Sequence, residues 1–145
     1  MKKFLLFILT LCVTLTSCGK EKSFPFKTED VKSIECYYYI IPAEAEKKVV
    51  SDTKEIENLI REISSVSLKQ KKIYKTAGGR VISFKFILFD ETYSVIYSSD
   101  GSKSGSIRFA DENKTWFTSY DFESLWENIN SRISKANTEE LPSIE

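Results

Sequence analysis

Histidine is absent from this 145-residue chain. Its absence excludes Ser-His-Asp and Cys-His nucleophile systems, His-ligated zinc or haem, and any imidazole acid or base. Net charge is also missing: 21 Lys and Arg balance 21 Asp and Glu, which argues against nucleic acid as a partner. No apolar run is long enough to span a bilayer. The longest, Phe4 to Leu15, has 12 residues, too few to cross a ~30 Å hydrocarbon core as a helix. Cysteine is scarce, at three residues. What remains is 41% apolar and 13% aromatic, the composition of one globular domain.

The N-terminus reads as an address. Met1-Lys2-Lys3 is a short positive segment, and the apolar run that follows suits the h-region of an export signal. Leu15-Thr16-Ser17-Cys18 comes next. It resembles the lipobox of bacterial membrane lipoproteins, in which a bulky apolar residue and two small ones precede an obligatory Cys. The resemblance implies that cleavage removes residues 1–17 and that Cys18 carries a diacylglyceryl thioether. A lipid-anchored, extracytoplasmic protein at the cell membrane is then expected, because two acyl chains anchor firmly where one does so only marginally.

After such processing Cys12 is gone and Cys18 is lipidated, leaving Cys36 as the one thiol. The alternation of Ile34, Cys36, Tyr38 and Ile40 puts it on one face of a strand, as a small buried hydrophobe or, alternatively, a reactive thiol. Loss of Lys2 and Lys3 leaves 19 bases and 21 acids. The charge is uneven: Ile63 to Phe89 holds six bases (Lys69, Lys71, Lys72, Lys75, Arg80, Lys85) and no acid. These residues are either outward positions of an edge strand or a contact with an anionic leaflet.

Residues 18–30 read as the lipidated Cys and a flexible tether, 31–135 as a single domain, and 136–145 as a polar, acidic tail. Val31 to Ile41 and Lys47 to Ser51 form a hairpin across Pro42-Ala43-Glu44. Asp52 caps a helix whose stripe is Ile56, Leu59, Ile60, Ile63 and Val66. A meander follows, from Leu68 through the Ala77-Gly78-Gly79 turn to Thr118, with Arg80 to Phe89 as its central strand. A second helix is expected from Tyr120 to Ser134, on Phe122, Leu125, Trp126, Ile129 and Ile133. The pattern predicts an α+β fold: an antiparallel sheet of about five to seven strands with two helices packed on one face.

No catalytic constellation emerges. Gly78-Gly79-Arg80 precedes a strand, so it reads as a turn rather than a phosphate loop. The carboxylates Asp90-Glu91, Asp111-Glu112 and Asp121/Glu123 fall at turns or at a helix start, where acids have structural reasons to be. Asp100, Ser102 and Ser104 offer too few ligands for a calcium site. Neither a cofactor nor a metal is expected. The most unusual local feature is Tyr37-Tyr38-Tyr39. If the helices cover Tyr38, then Tyr37 and Tyr39, with Tyr93 or Tyr97, form an exposed aromatic platform for an envelope protein or a glycan, or else cross-strand pairs that stabilise the sheet. The reading is a monomeric, non-enzymatic binding domain. An envelope inhibitor or immunity lipoprotein that inserts the Asp100–Gly105 loop into its target, and a carboxylate-dependent hydrolase, are the alternatives.

Overall fold

The computed structural model describes residues 20–70, 79–99 and 101–144. The export run and Cys18 lie outside them, as do Asp100 and most of the segment leading into the Gly78-Gly79 turn. The elements in chain order are β1 (Ser33–Tyr39), β2 (Glu46–Val50), α1 (Thr53–Ser64), β3 (Val81–Ile87), β4 (Thr92–Ser99), β5 (Gly105–Phe109), β6 (Thr115–Thr118), α2 (Phe122–Asn128) and β7 (Ser134–Lys135). The strands form one antiparallel sheet in the order β6-β5-β4-β3-β1-β2-β7. β3 is central. The fold is α+β, as its sequence pattern predicts.

Alternation decides which side chains meet the helices. Ile34 and Cys36 of β1, Ile82, Phe84 and Phe86 of β3, Tyr93, Val95 and Tyr97 of β4, and Ile107 and Phe109 of β5 all face one way and are buried. α1 lays Ile56, Leu59, Ile60 and Ile63 on this face, and α2 adds Phe122 and Trp126. Asp52 starts α1 by accepting from the Lys54 and Glu55 amides at 3.0 and 3.1 Å, the expected cap. Cys36 is fully buried, and loss of hydration pushes its thiol above the ordinary range. It is an inert core residue.

Three segments differ from expectation. α2 ends at Asn128, not near Ser134. Lys48 explains the stop. From β2 its buried ammonium lies over the Trp126 ring at 4.7 Å and donates to the carbonyls of Trp126 and Ile129 at 2.7 and 2.9 Å. A cation on the last carbonyls of a helix satisfies its orphan acceptors and complements its dipole. Ile133 is therefore exposed, and the chain runs on to pair as β7 with β2.

The tail is not free. Ala136 donates its amide to Ala45 at 2.9 Å, and Ala136 and Pro142 are buried. With Leu141 the tail covers Tyr37 and Ala45 on the sheet face away from the helices. Lys71, Lys72 and Lys75 of the basic stretch lie outside the described residues, and its three described bases do not share one surface. Lys69 is exposed beside β6, Arg80 pairs with Glu123, and Lys85 faces Glu35 on the other side of the sheet.

The third difference is the N-terminal tether. Lys22 is buried, and Phe24 and Phe26 pack on Phe86 and Tyr93 with ring centroids 5.3–5.6 Å apart. Residues 20–26 belong to the domain.

Candidate binding surface and N-terminal clip

Each of Tyr37, Tyr38 and Tyr39 has its own environment. β1 pairs Tyr38 with Ile82, and β3 pairs Ile82 with Tyr97 and Phe86 with Tyr93. This register puts Tyr38, Tyr93 and Tyr97 on the helix face, where Tyr97 stacks on Phe122 at 4.6 Å and Tyr38 on Trp126 at 5.6 Å. Tyr37 and Tyr39 lie on the opposite face under the tail, and Tyr37 is completely buried. Tyr37, Tyr39, Tyr93 and Tyr97 therefore do not form a single platform. Tyr37 instead donates to Glu35 at 2.7 Å, within a ladder in which Lys47 bridges Glu35 and Glu140 at 2.9 and 3.0 Å. Burial opposes ionisation of Glu35, yet the bonds from Tyr37 and Lys47 hold its carboxyl below the ordinary value.

Two sites, separated across the sheet order, stand out. The first fixes the N-terminus. Lys20 makes a two-bond antiparallel bridge to Leu68, and the Lys22 amide donates to Ser64. Lys69 in turn bridges Phe117 of β6, so residues 20, 68 and 69 continue the sheet beyond its β6 edge. The Lys22 ammonium then reaches both oxygens of Asp111 and one of Glu112, each at 2.8 Å, and lies 4.8 Å from the Phe109 ring centroid. Tyr93 donates to Asp111, and the Trp116 indole donates to Glu112 at 2.6 Å. Burial alone would raise both carboxyls. The bonds from Lys22, Tyr93 and Trp116 bring them below their ordinary values instead.

Asp111-Glu112 thus has a structural partner that no local motif announces. A signal was nonetheless present in alternation: Lys22, Phe24 and Phe26 face inward while Glu21, Ser23 and Pro25 are exposed.

The second site lies at the β1–β2 connection, at the strand ends opposite the Asp111-Glu112 turn. The β1–β2 connection carries Ile40 and Ile41 at 58% and 54% exposure, large values for such side chains, followed by exposed Pro42 and Ala43. Ile40 also borders a cavity of about 590 Å³ between the starts of β3 and α2 and the β4–β5 loop. Arg80 and Glu123 pair across it at 2.6 Å, and Lys103 pairs with Asp121 at 3.0 Å. Asp121 caps α2 through the Ser124 amide, and that bond, with the one from Lys103, takes its carboxyl down to about 2. The β4–β5 loop is braced by the Ser99 hydroxyl, which donates to the Ser102 carbonyl and accepts from the Gly101 amide. Gly101 has φ +92°, a conformation that disfavours a side chain.

This end combines an apolar tip with a bowl whose described lining holds two bases and three acids, Asp121, Glu123 and Glu127. Sequence patterning missed Ile40 and Ile41 as surface residues, because they read as the end of a buried strand. A smaller cleft of about 300 Å³ lies between α1 and α2, floored by Leu59, Leu125 and Ile129. Comparison with protein-family models, with curated proteins and with solved structures found no match to this chain.

Proposed function

We propose that this protein is a lipid-anchored, extracytoplasmic binding domain that holds a protein partner at its β1–β2 end. Two arguments support the reading. The lipobox-like Leu15-Thr16-Ser17-Cys18 supplies the anchor. The clip at Lys20 and Lys22 then sets the β6 edge of the sheet nearest the anchor and leaves the β1–β2 side away from it. β1 is four strands from β6 in the sheet order, a separation of about 19 Å at ~4.8 Å per strand. Along the strands, Lys69 is level with Tyr39 through Phe117, Ser106, Ser98 and Val81, so the separation of clip and tip runs across the sheet.

The carrying observation is the exposure of Ile40 and Ile41 beside a charged cavity. An apolar centre with a polar, charged rim is how protein interfaces are built. Ala43 and Pro42 extend the tip, and the Arg80–Glu123 and Lys103–Asp121 pairs line its flank. A second reading, an inhibitor or immunity lipoprotein, uses the same surface. The braced β4–β5 loop and the isoleucine tip project together and could enter a target's active site.

Two measurements test the proposal. Metabolic labelling with a fatty acid should mark the wild type and not Cys18→Ala; label retained in the variant contradicts the anchor. Cross-linking on intact membranes should recover a discrete partner, and the pair Ile40→Asp with Ile41→Asp should lose it with the fold unchanged, because both side chains are exposed. Equal recovery by the double variant contradicts the tip as the binding surface.

A further inference from the structure

We propose that Lys20, Lys69 and Lys114, exposed along the β6 edge, form a seat that rests on anionic lipid headgroups. The inference deepens the proposed anchoring and rests on it. Covalent geometry gives the first reason. Lys20 is hydrogen-bonded into the domain and only Gly19 separates it from Cys18, a span of at most ~7 Å. A lipid on Cys18 would hold the β6 edge close to the headgroups.

Charge gives the second. Lys20 and Lys114 place their ammonium groups 5.2 and 5.9 Å from the Trp116 ring centroid. Lys69, on the strand segment that joins Lys20's partner Leu68 to β6, is exposed like the other two. Four acids are close. Asp111 and Glu112 are turned onto Lys22, with Tyr93 and the Trp116 indole as further donors. Glu62 accepts from Tyr120, and Glu21 is the one exposed acid of the N-terminal strand. The outward groups of the rim are therefore mainly ammonium. Anionic headgroups attract such lysines, and the attraction falls off within a Debye length.

Chemistry gives the third. Lysines on long apolar stems extend their ammonium groups to the phosphate level of a membrane–water interface. Trp116 itself is a core residue, 5% exposed, so the ammonium groups rather than the ring meet the surface.

Lysine footprinting on the mature chain, residues 18–145, tests the seat. Every described contact of the fold lies within residues 20–144, so this chain keeps them all. Cys18 would be coupled to a maleimide lipid in phosphatidylcholine vesicles containing phosphatidylglycerol. Cys36 is buried and does not compete. An amine-reactive reagent then reports each lysine by mass spectrometry. Lys20, Lys69 and Lys114 should lose most of their reactivity on the vesicles, while the exposed Lys54, Lys103 and Lys135 keep theirs.

Unchanged reactivity of the three, or equal protection of all six, overturns the seat. Protection that persists undiminished on vesicles of phosphatidylcholine alone overturns its anionic specificity. Because the coupling is synthetic, the result does not depend on lipidation in the cell; fatty-acid labelling decides that separately.

Discussion

Lys22→Met should destabilise the domain by about 2–4 kcal/mol at neutral pH, a large fraction of a domain's stability. The methionine keeps the length and apolar stem of lysine and removes only the charge. Asp111 and Glu112 would then face each other with no cation between them. Removing one partner of a fully buried pair costs ~3–5 kcal/mol. A discount is due here because the two acids keep 33% and 19% of their side-chain exposure.

The loss should depend on pH in a defined direction. Both carboxyls titrate below their ordinary values of 3.8 and 4.5 in the folded chain. Their contribution is present above those values and lost as pH falls through the lower folded ones. The gap between wild type and variant should therefore narrow as pH drops below about 4.5. Urea unfolding followed by tryptophan fluorescence measures both effects. A difference under about 0.5 kcal/mol at neutral pH would mean that the clip is only a surface ion pair.

Phe122→Ala should cost about 3–5 kcal/mol, the usual range for emptying a buried aromatic site, and lower Tm by roughly 10–20 °C. Phe122 is completely buried and meets Tyr97, Tyr120 and Phe84 at 4.6, 5.0 and 6.0 Å. It also carries a structural burden beyond its area. α2 has only seven residues, too few to be stable as an isolated helix. Phe122 and Trp126 are its buried anchors. Losing one should loosen the helix and with it Asp121 and Glu123, which pair across the cavity beside the isoleucine tip. Amide exchange of Ser124 and Leu125 should accelerate more than that of β3. Equal slowing or equal acceleration of both would detach the cavity wall from this anchor.

The layers of the fold were legible because their physics is local. Asp52 as a cap, the Ile56–Ile63 stripe and the alternation of Ile82, Phe84 and Phe86 each follow from spacing alone, and each fills its expected place. The parts that were not legible depend on residues distant in sequence. Lys22 looked like a tether residue because the acids that bury it lie about ninety positions away. Lys48 stops α2 from a neighbouring strand, and nothing in the Tyr120–Ser134 pattern announces it.

The tyrosines fail for a related reason. Alternation separates Tyr38 from Tyr37 and Tyr39, but only the register of β1 on β3 and of β3 on β4 assigns Tyr93 and Tyr97 to the Tyr38 side. Too few apolar residues mark the tail as packed: Ala136, Leu141 and Pro142 suffice because Tyr37 and Ala45 offer a ready surface. The candidate site shifted accordingly, from the aromatic face to the exposed Ile40-Ile41 tip.

The central claim is that the chain beyond Cys18 is part of the folded domain and so fixes how that domain meets its anchor. Native-state amide exchange of the mature chain tests it most directly. The Lys20 and Lys22 amides donate to Leu68 and Ser64, each at 3.2 Å, and should be protected together with the Leu68 and Lys69 amides that bridge the same edge. Exchange of Lys20 and Lys22 at the rate of an unstructured peptide, with Leu68 and Lys69 still protected, would contradict the clip and with it the fixed orientation of the domain.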